Sequence, residues 1–361
     1  MPRVETRPRP ALPVAPGPVL ALDLGASRTR TALVSPDGRL HARTEGRTPG
    51  ELGPDAVVDA CIGHLRTTLD AVAPGDRGAI VALGIAAPGP VDPRTGTIVD
   101  PPNMGPDIHD VALAPALADA LGLPAVLDRD TQVAVLAEMT FGAARDVRDV
   151  VYLTISTGIG GAVVSDGRLL AGPDGTAGEL GHLPVELDGP PCGCGANGHL
   201  EAIASGSAIA RLAREAAASG EAPGLAVLVR SLSPARLEAR HVAEAEERGD
   251  AHAAAIMERA RRAFAAVCVG LVDVFDPELI VVGGSVARNQ GERWLVPARR
   301  EVERFGFRVP ARRARIVAAG LGDDVGLVGS QPLVALRLAE GGLIHPSTIR
   351  APVGAAGGKH P

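Results

Sequence analysis

Short apolar runs that end in glycine alternate along the chain with longer stretches of helical spacing. The run "ELIVVGGSVA" (278–287) is typical of a buried strand that leads into a glycine turn, because it is β-branched and too short for a helix. The stretch "DAHAAAIMERARRAFAAVCVGLVDVFD" (250–276) has the apolar spacing of one long helix. Strands that alternate with helices predict an α/β protein. Because glycine-ended strands recur in both halves, the pattern is compatible with two related lobes and a cleft between them.

The other apolar runs fall into the same two classes. Strands are predicted over 18–26, 30–38, 79–89 and the start of 124–142, with a hairpin over 149–170. Helices are predicted over 56–73, 111–122, Asp130 to 142, and 324–340. Residues 1–17 are Pro-rich and 341–361 are similar in character, which predicts a disordered arm and a flexible tail.

Composition and charge exclude several classes of function. The formal net charge is -6, with acidic and basic residues mixed throughout, whereas a nucleic-acid surface needs a basic patch. No stretch of about 18 uncharged apolar residues occurs, so we expect no membrane span. Repeated proline interrupts any signal-peptide core in the first residues, which predicts a cytoplasmic protein. In that compartment, four cysteines indicate thiols or metal ligands rather than a disulfide framework.

Two cysteines and two histidines crowd into one Gly-rich loop. The spacing His182-x9-Cys192-x-Cys194-x4-His199 offers the four nitrogen and sulfur donors that tetrahedral zinc prefers. The alternative is two incidental cysteines in a loop. Four protein ligands leave no open position for water, so the zinc would be structural, and a zinc hydrolase is disfavoured.

Four stretches pair a predicted strand with glycines or other small residues. Successive backbone N–H groups at such turns can bind phosphate, and an Asp beside one can hold Mg2+ through water. The alternative for each stretch is an ordinary turn. They centre on Asp23 to Ser27, Thr157 to Gly161, Gly283 and Gly284, and Gly320 to Gly326. No G-x-x-x-x-G-K-[ST] motif is present, so a Walker-type NTPase is not expected.

Asp128 and Asp130 lie where a predicted strand passes into a helix. Asp130 suits two roles at that position. It could cap the helix, since Asp is a favoured N-cap residue, or act as a general base for a hydroxyl in a cleft.

Together these motifs resemble the ROK family of sugar kinases and related repressors, within the actin-like ATPase superfamily. The resemblance covers roughly residues 18 to 340, and its most specific part is "GPDGTAGELGHLPVE…CGCGANGHLEAIASG". "ALDLGASRTRTALV" and "STGIGGAVV" resemble the family's two phosphate motifs, and "LIVVGGSVA" resembles the adenosine-side motif. "GIAAPGPVDPRTGTI" and "LGDDVGLVGSQ" are similar to further family blocks in the same order.

The resemblance implies two α/β lobes, each on a ribonuclease-H-like sheet, with Mg2+-ATP and a sugar in the cleft. We expect a small lobe over 18–127, joined by a C-terminal helix over 325–340, and a large lobe over 128–324 with a zinc loop at 178–202. Family members often form dimers, so a homodimer is expected. Only about 17 residues precede the first phosphate motif, too few for the helix-turn-helix domain of the family's repressors.

The resemblance also implies residue roles, with Asp130 as the catalytic base. The implied sugar-binding residues are Gly89, Arg129, Asp130, Glu179, His182 and Glu201. The implied Mg2+-ATP-binding residues are Asp23, Gly25, Ala26, Ser27, Thr157, Gly158, Gly160, Gly283 and Gly284. The implied structural zinc ligands are His182, Cys192, Cys194 and His199.

Several positions depart from the family pattern. His199 replaces the usual fourth cysteine, Arg129 the usual asparagine before the base, Gln132 a second asparagine, and Ala26 a glycine of the first phosphate motif. Arg129 could lower the pKa of Asp130, recruit an anionic sugar, or turn into solvent. These departures leave two functions open: an ATP-dependent sugar kinase, or a catalytically weakened sugar-binding sensor of the same family.

Overall fold

The computed structural model describes residues 12–220, 222–232 and 236–347, and these residues fold around two five-stranded sheets. The strands are β1 (Val19–Leu24), β2 (Arg28–Val34), β3 (Leu40–Arg47), β4 (Leu83–Ala87), β5 (Val91–Asp92), β6 (Thr97–Ile98), β7 (Ala125–Arg129), β8 (Val150–Ile155), β9 (Ile159–Ser165), β10 (Arg168–Leu169), β11 (Leu279–Gly283) and β12 (Arg315–Ala318).

The helices cover the faces and edges of these sheets. They are α1 (Pro54–Ala71), α2 (Pro74–Arg77), α3 (Leu113–Leu121), α4 (Asp130–Thr140), α5 (Leu200–Ala204), α6 (Gly206–Ala218), α7 (Pro223–Leu232), α8 (Ala239–Glu247), α9 (Ala251–Phe275), α10 (Ser285–Gln290), α11 (Glu292–Phe305), α12 (Arg308–Ala311), α13 (Val325–Val328) and α14 (Ser330–Glu340). The mixed α/β class predicted from the sequence is confirmed. Within the described residues, no helix is both long and apolar enough to cross a membrane.

The two sheets share one strand order. The first sheet runs β3-β2-β1-β4-β7 and the second runs β10-β9-β8-β11-β12. In each sheet the central strand pairs antiparallel with the next strand in the chain and parallel with a later one: β1 with β2 and β4, and β8 with β9 and β11. The recurrence of glycine-ended strands in the sequence therefore corresponds to a repeated topology.

Each sheet has its own apolar core, filled mainly by aliphatic side chains. In the first half, Leu22 and Ile85 of the sheet belong to one buried cluster with Leu65 of α1. In the second half, the 25-residue helix α9 supplies Phe264, whose ring centroid lies 5.7 Å from that of Trp294 on α11. Trp294 is fully buried, which gives the chain's single tryptophan a packing role.

Helix α4 lies between the two sheets and is buried along Thr131–Met139. It contacts α13 and α14 as well as β8 and β9. An ordinary surface helix exposes a polar face to solvent, but α4 exposes little beyond its first residue, because protein packs around the rest of it. The helix therefore fixes its first residue, Asp130, relative to both halves of the molecule.

The chain ends differ in part from the sequence-based expectations. Ala15, assigned to the disordered arm, is 1% exposed, and its N–H donates to Gln331 Oε1 at 3.1 Å. Ile344, assigned to the flexible tail, pairs with Ala125 at the edge of the first sheet. Residues 1–11 and 348–361 lie outside the described residues. The helix predicted over 324–340 is interrupted at Gly329 and forms two helices, α13 and α14.

Candidate functional site

The expected site residues lie where strand ends from both sheets meet. Asp23 lies near the end of β1, Arg129 ends β7, and Asp130 begins α4 directly after it. From the second half come the turn between β8 and β9 and the segment around the 3-10 turn Leu180–His182. The carboxyl ends of parallel strands form the usual ligand crevice of open α/β sheets, so this position is suited to a binding site.

Asp130 opens into this crevice without capping its helix. The N-cap position of α4 is Arg129, which makes no side-chain cap, and Asp130 is the first helical residue. Its carboxylate accepts from the N–H of Thr131 at 2.7 Å. Loss of water around the carboxyl, followed by the negative charge of Asp23, raises its pKa to about 6. The carboxyl can therefore accept a proton near neutral pH, as a general base requires.

Arg129 is buried and joins the two halves of the molecule. Its Nη1 donates to Glu179 Oε1 at 2.5 Å, and its Nη2 donates to the carbonyl of Ala177. When the side-chain amide of Gln132 is oriented with its nitrogen towards Asp128, its oxygen accepts a hydrogen bond from Arg129 Nη2 at 3.0 Å. The Nε atom is buried without a hydrogen-bond partner in the described structure.

One of the sequence-based alternatives for Arg129 was wrong, and a second holds for the direction of the effect but not for the net pKa. The side chain does not turn into solvent, since it is 3% exposed. Its charge lowers the pKa of Asp130, but burial and the neighbouring carboxylates outweigh that effect and the pKa rises. Gly89 lies against the same side chain: a Cβ atom there would come within 2.8 Å of Arg129 Cδ. Gly89 thus packs against Arg129, and a sugar-binding role for the two residues stays a prediction.

Asp23 forms an ion pair with Arg30, a residue that the motif analysis did not identify. Arg30 Nη1 lies 3.0 Å from Asp23 Oδ2, and the two residues are directly opposed across the β1–β2 pair. Burial raises the pKa of Asp23, and Arg30 partly offsets this rise. Gly326 of α13 lies beneath the carboxylate, where a Cβ would come within 2.7 Å of Asp23 Cγ. The hairpin pattern of strands 18–26 and 30–38 was the signal that could have revealed Arg30, since a short turn fixes which residues oppose each other.

The expected phosphate turns form tight backbone structures on both sides of the cleft. In the first, the N–H of Gly25 donates to the carbonyl of Arg28 at 2.8 Å, with Ala26 and Ser27 at the bend. In the second, the N–H of Ser156 donates to the carbonyl of Gly158 at 2.9 Å across the exposed Thr157.

The turn between β8 and β9 lies beside the loop after β11. Ser156 Oγ is 3.0 Å from Ser285 Oγ, which directly follows Gly283 and Gly284. Gly284 has a φ of +90°, a conformation that favours glycine. Gly160 lies against Thr131, next to Asp130. The structure thus gathers the second phosphate turn, the β11 loop and the start of α4 at one place.

Glu201, at the start of α5, reaches the same turn. Its Oε2 accepts from the N–H of Ile159 at 2.7 Å. Gly158 leaves room for this contact, because a Cβ there would come within 2.6 Å of that oxygen. Glu201 is therefore positioned by the backbone that also shapes the second phosphate turn.

The four expected zinc ligands lie together. One donor atom from each of His182, Cys192, Cys194 and His199 falls within 4.8 Å of the others. His182 Nδ1 is 3.3 Å from His199 Nδ1 and 3.7 Å from Cys192 Sγ, and Cys194 Sγ is 3.3 Å from His199 Nδ1. Zn–N bonds of about 2.0 Å and Zn–S bonds of about 2.3 Å place tetrahedral donors roughly 3.3 to 3.8 Å apart, so the donor set fits zinc.

His182 connects this cluster to the cleft. Its Nδ1 faces the thiols, and its Nε2 lies 3.9 Å from Glu179 Oε2. Because Arg129 takes the other oxygen of Glu179, one carboxylate oxygen and one imidazole nitrogen remain side by side. An acceptor and a ring nitrogen in this arrangement are suited to binding a hydroxyl group.

Comparison with known proteins identifies the family of the chain. The sequence profile of the ROK family matches residues 19–336. The chain is 36% identical to a glucokinase from Thermotoga maritima over 322 residues, which cover 89% of this chain and 98% of that protein. It is 35% identical to an N-acetylmannosamine kinase from Shigella flexneri, over 86% of this chain and 96% of that protein. The fold is similar to a crystal structure of a ROK family glucokinase from Streptomyces griseus in complex with glucose and AMPPNP, with a TM-score of 0.74 and 32% identity over 88% of this chain and 99% of that one.

Proposed function

The chain belongs to the ROK family, and from that premise we propose that it is an ATP-dependent kinase that phosphorylates a sugar hydroxyl. The observation that carries this proposal is Asp130, a carboxylate with a pKa of about 6 that opens into a cleft between two lobes. Hydroxyls lose their proton poorly at neutral pH, so a positioned base with a matched pKa accelerates their attack on phosphorus.

Asp130 accepts the proton of the attacking hydroxyl. The hydroxyl oxygen forms a bond to the γ-phosphorus, the bond from that phosphorus to the bridging oxygen breaks, and the electron pair leaves with ADP. Phosphoryl transfer depends chiefly on positioning and neutralisation of charge. The buried α4 helix supports the first requirement, because it holds Asp130 in a fixed place between the lobes.

Mg2+-ATP would bind along the turns on both sides of the cleft. Asp23 would hold Mg2+ through water, and the cation neutralises charge on the transferred phosphoryl group. The backbone turns would face the phosphates and the adenosine, using Gly25, Ala26, Ser27, Thr157, Gly158, Gly160, Gly283 and Gly284. The Asp23 carboxylate, which is 14% exposed, lies at the end of β1 beside the first of these turns.

The sugar would bind opposite Asp130. Glu179, His182 and Glu201 supply carboxylate oxygens and an imidazole nitrogen for hydroxyl groups, with Gly89 and Arg129 at the edge of the same site. Zinc on His182, Cys192, Cys194 and His199 would serve a structural role, fixing the ring of His182 through its Nδ1. The distances among the four donors support this role.

A sugar-binding sensor without turnover is the second candidate, and two ion pairs favour it. Arg129 engages Glu179, and Arg30 engages Asp23, so both carboxylates already have a cation partner. A kinase must displace or accommodate these contacts when sugar and Mg2+-ATP bind.

One experiment separates the two candidates. ATP consumption is measured with neutral, N-acetylated and acidic hexoses, and thermal stability is measured with the same sugars. A kinase consumes ATP with at least one sugar. A sensor consumes none but is stabilised by a sugar, by about 2.7 kcal/mol at a hundredfold excess over its Kd.

We also expect a homodimer, a cytoplasmic location and no nucleic-acid partner. Light scattering of the purified protein measures the oligomeric state, and a shift assay at physiological salt tests nucleic-acid binding.

A further inference from the structure

Glu138, in the last turn of α4, is a buried carboxylate that none of the roles above uses. It is 0% exposed. Its Oε2 accepts from the N–H of Ala143 at 2.7 Å, and its Oε1 accepts from the N–H groups of Gly320 and Leu321 at 2.9 and 3.0 Å. A buried charge is costly unless its lone pairs are used, and three backbone donors use them here. The carboxylate therefore holds two chain segments, one at Ala143 and one at Gly320 and Leu321, against the end of α4.

One of these segments is the loop from Ala319 to Asp324, between β12 and α13. The N–H of Ala319 donates to the carbonyl of Val282 at 2.9 Å, so the loop begins beside the glycine turn after β11. Further along, Arg288 Nη1 lies 2.5 Å from Asp323 Oδ1, and Arg30 Nη1 donates to the carbonyl of Asp323 at 3.3 Å. The loop thus contacts the turn after β11 and the side chain of Arg30, which forms the ion pair with Asp23.

The same helix that carries Glu138 begins at Asp130. Eight residues separate them, which is about 12 Å along an α-helix. Because α4 is buried on almost all sides, it acts as a rigid spacer between the base and the loop. The loop packs closely on the end of α4, since a Cβ on Gly320 would lie 3.3 Å from the nitrogen of Ala143 and 3.4 Å from Glu138 Oε2.

We propose that Glu138 is a positioning residue that holds the 319–324 loop in register with Asp130 and so sets how tightly the nucleotide binds. This inference rests on the proposed function for its kinetic consequence. Its structural consequence, an ordered loop, stands independently of turnover.

The proposed role depends on the ionised carboxylate of Glu138. A carboxylate only accepts hydrogen bonds, and its two oxygens can serve all three N–H groups. The variant Glu138→Gln keeps the shape but has one acceptor oxygen, and its NH2 group faces donors instead. The N–H of Gly320 lies 2.9 and 3.0 Å from the two oxygens, so in either orientation of the amide an NH2 group faces this donor and the contact that holds the loop is weakened.

The matched control is Glu246→Gln. Glu246 is also a largely buried carboxylate, with Arg261 Nη2 at 2.7 Å and Arg293 Nη2 at 2.9 Å, but it lies on α8. Its loss lowers stability without touching the 319–324 loop. A change seen in both variants is an effect of stability alone.

Two readouts test the proposal, both at a temperature where all variants are folded. In Glu138→Gln, we expect hydrogen exchange of residues 319–324 to accelerate at least tenfold and the KM for ATP to rise about tenfold, while the KM for the sugar is unchanged. Wild-type values for both readouts in Glu138→Gln, or equal changes in Glu246→Gln, would overturn the proposal.

If wild-type protein consumes no ATP with any sugar, the proposed function fails, and the exchange rate of the loop still decides the role of Glu138. If Glu138→Gln does not fold, Glu138→Asp keeps the charge but withdraws the oxygens from the N–H groups of Gly320 and Leu321. The same acceleration of exchange is then expected, and its absence would count against the proposal.

Discussion

Arg129 reaches across the cleft and forms an ion pair with Glu179. The sugar contact that the resemblance implies for Arg129 stays a prediction. We predict that Arg129→Asn frees Glu179 Oε1 and lowers the KM for a neutral hexose about tenfold. Because Glu179 is 42% exposed and can be hydrated, the expected loss of stability is below about 2 kcal/mol.

The measurement is kcat and KM on glucose and on N-acetylated and acidic sugars. Arg129→Lys is the control, since it keeps the charge but not the fork of N–H donors that contacts Glu179 and Ala177. Unchanged kinetics of Arg129→Asn on every sugar would show that Arg129 does not set specificity.

The assignment of Asp130 as the catalytic base predicts how kcat/KM depends on pH. A base with a pKa of about 6 is inactive when protonated, so we expect kcat/KM to rise with pH and reach half its plateau near pH 6. Asp130→Asn is expected to lower kcat by about 10² to 10⁴-fold while sugar binding, measured by calorimetry, persists. A pH profile that is flat from 5 to 8 would contradict the assignment.

The stability of Asp130→Asn also tests the raised pKa of Asp130. The expected change of stability with pH is opposite in sign to that of a carboxylate whose pKa is lowered by an ion pair. The folded pKa lies above the unfolded value of 3.8, so the folded state binds more protons between pH 4 and 6 and loses stability as pH rises through that range. Asp130→Asn removes this penalty. We expect its Tm to exceed that of wild type at pH 8 and the difference to shrink towards pH 4.

Among single residues, the sequence predicted those that belong to a local motif. His182, Cys192, Cys194 and His199 could be grouped because they lie within 18 positions of each other. The pairing of Arg129 with Glu179 joins residues 50 positions apart, and the contact of Glu138 with Gly320 joins residues 182 apart. Such contacts depend on how elements pack, so no local spacing indicates them.

At the scale of elements, we expect the Gly-rich loop that carries the candidate zinc ligands to depend on a bound ion for its order. We predict that a chelator, or the variant Cys194→Ala, removes zinc, lowers the Tm and weakens sugar binding, because the ring of His182 is no longer fixed. Elemental analysis and calorimetry measure these effects. Cys268→Ala, in the core on α9, is the cysteine control and should keep its zinc. Full zinc content in Cys194→Ala would exclude that ligand.

Elements with a strong apolar pattern were predicted better than those without one. The strands around 18–38 and the long helix near 250–276 correspond to β1, β2 and α9. β3 was not predicted, because its alternation of half-buried and exposed residues at the sheet edge involves polar side chains such as Arg43 and Glu45. The break at Gly329 was also missed, since only packing against α4 at Val133 requires a residue without a side chain there.

At the scale of the whole molecule, Gln331 ties the start and the end of the described chain together. It is fully buried on α14, accepts from the N–H of Ala15, and donates to the carbonyls of Gly17 and Val34 at 3.0 and 2.8 Å. We predict that Gln331→Leu, which keeps the bulk but leaves these backbone groups unpaired, lowers the free energy of unfolding by about 2 to 4 kcal/mol.

Denaturant unfolding measures this loss, and kcat at a temperature where the variant is folded should match wild type. Gln331 does not face the cleft, so a large loss of activity in the folded variant would show that the packing of α14 reaches the site. No local pattern indicates this role, because the partners of Gln331 are about 300 residues away in the chain.

The common strand order of the two sheets has a consequence for what can bind between them. The hairpin turn after β1 and the hairpin turn after β8 occupy equivalent positions of what is structurally a duplicated unit. Their sequences differ, so the shared topology is not visible as a sequence repeat. A polyanion lying between the halves would nevertheless meet backbone amides from equivalent turns on both walls of the crevice.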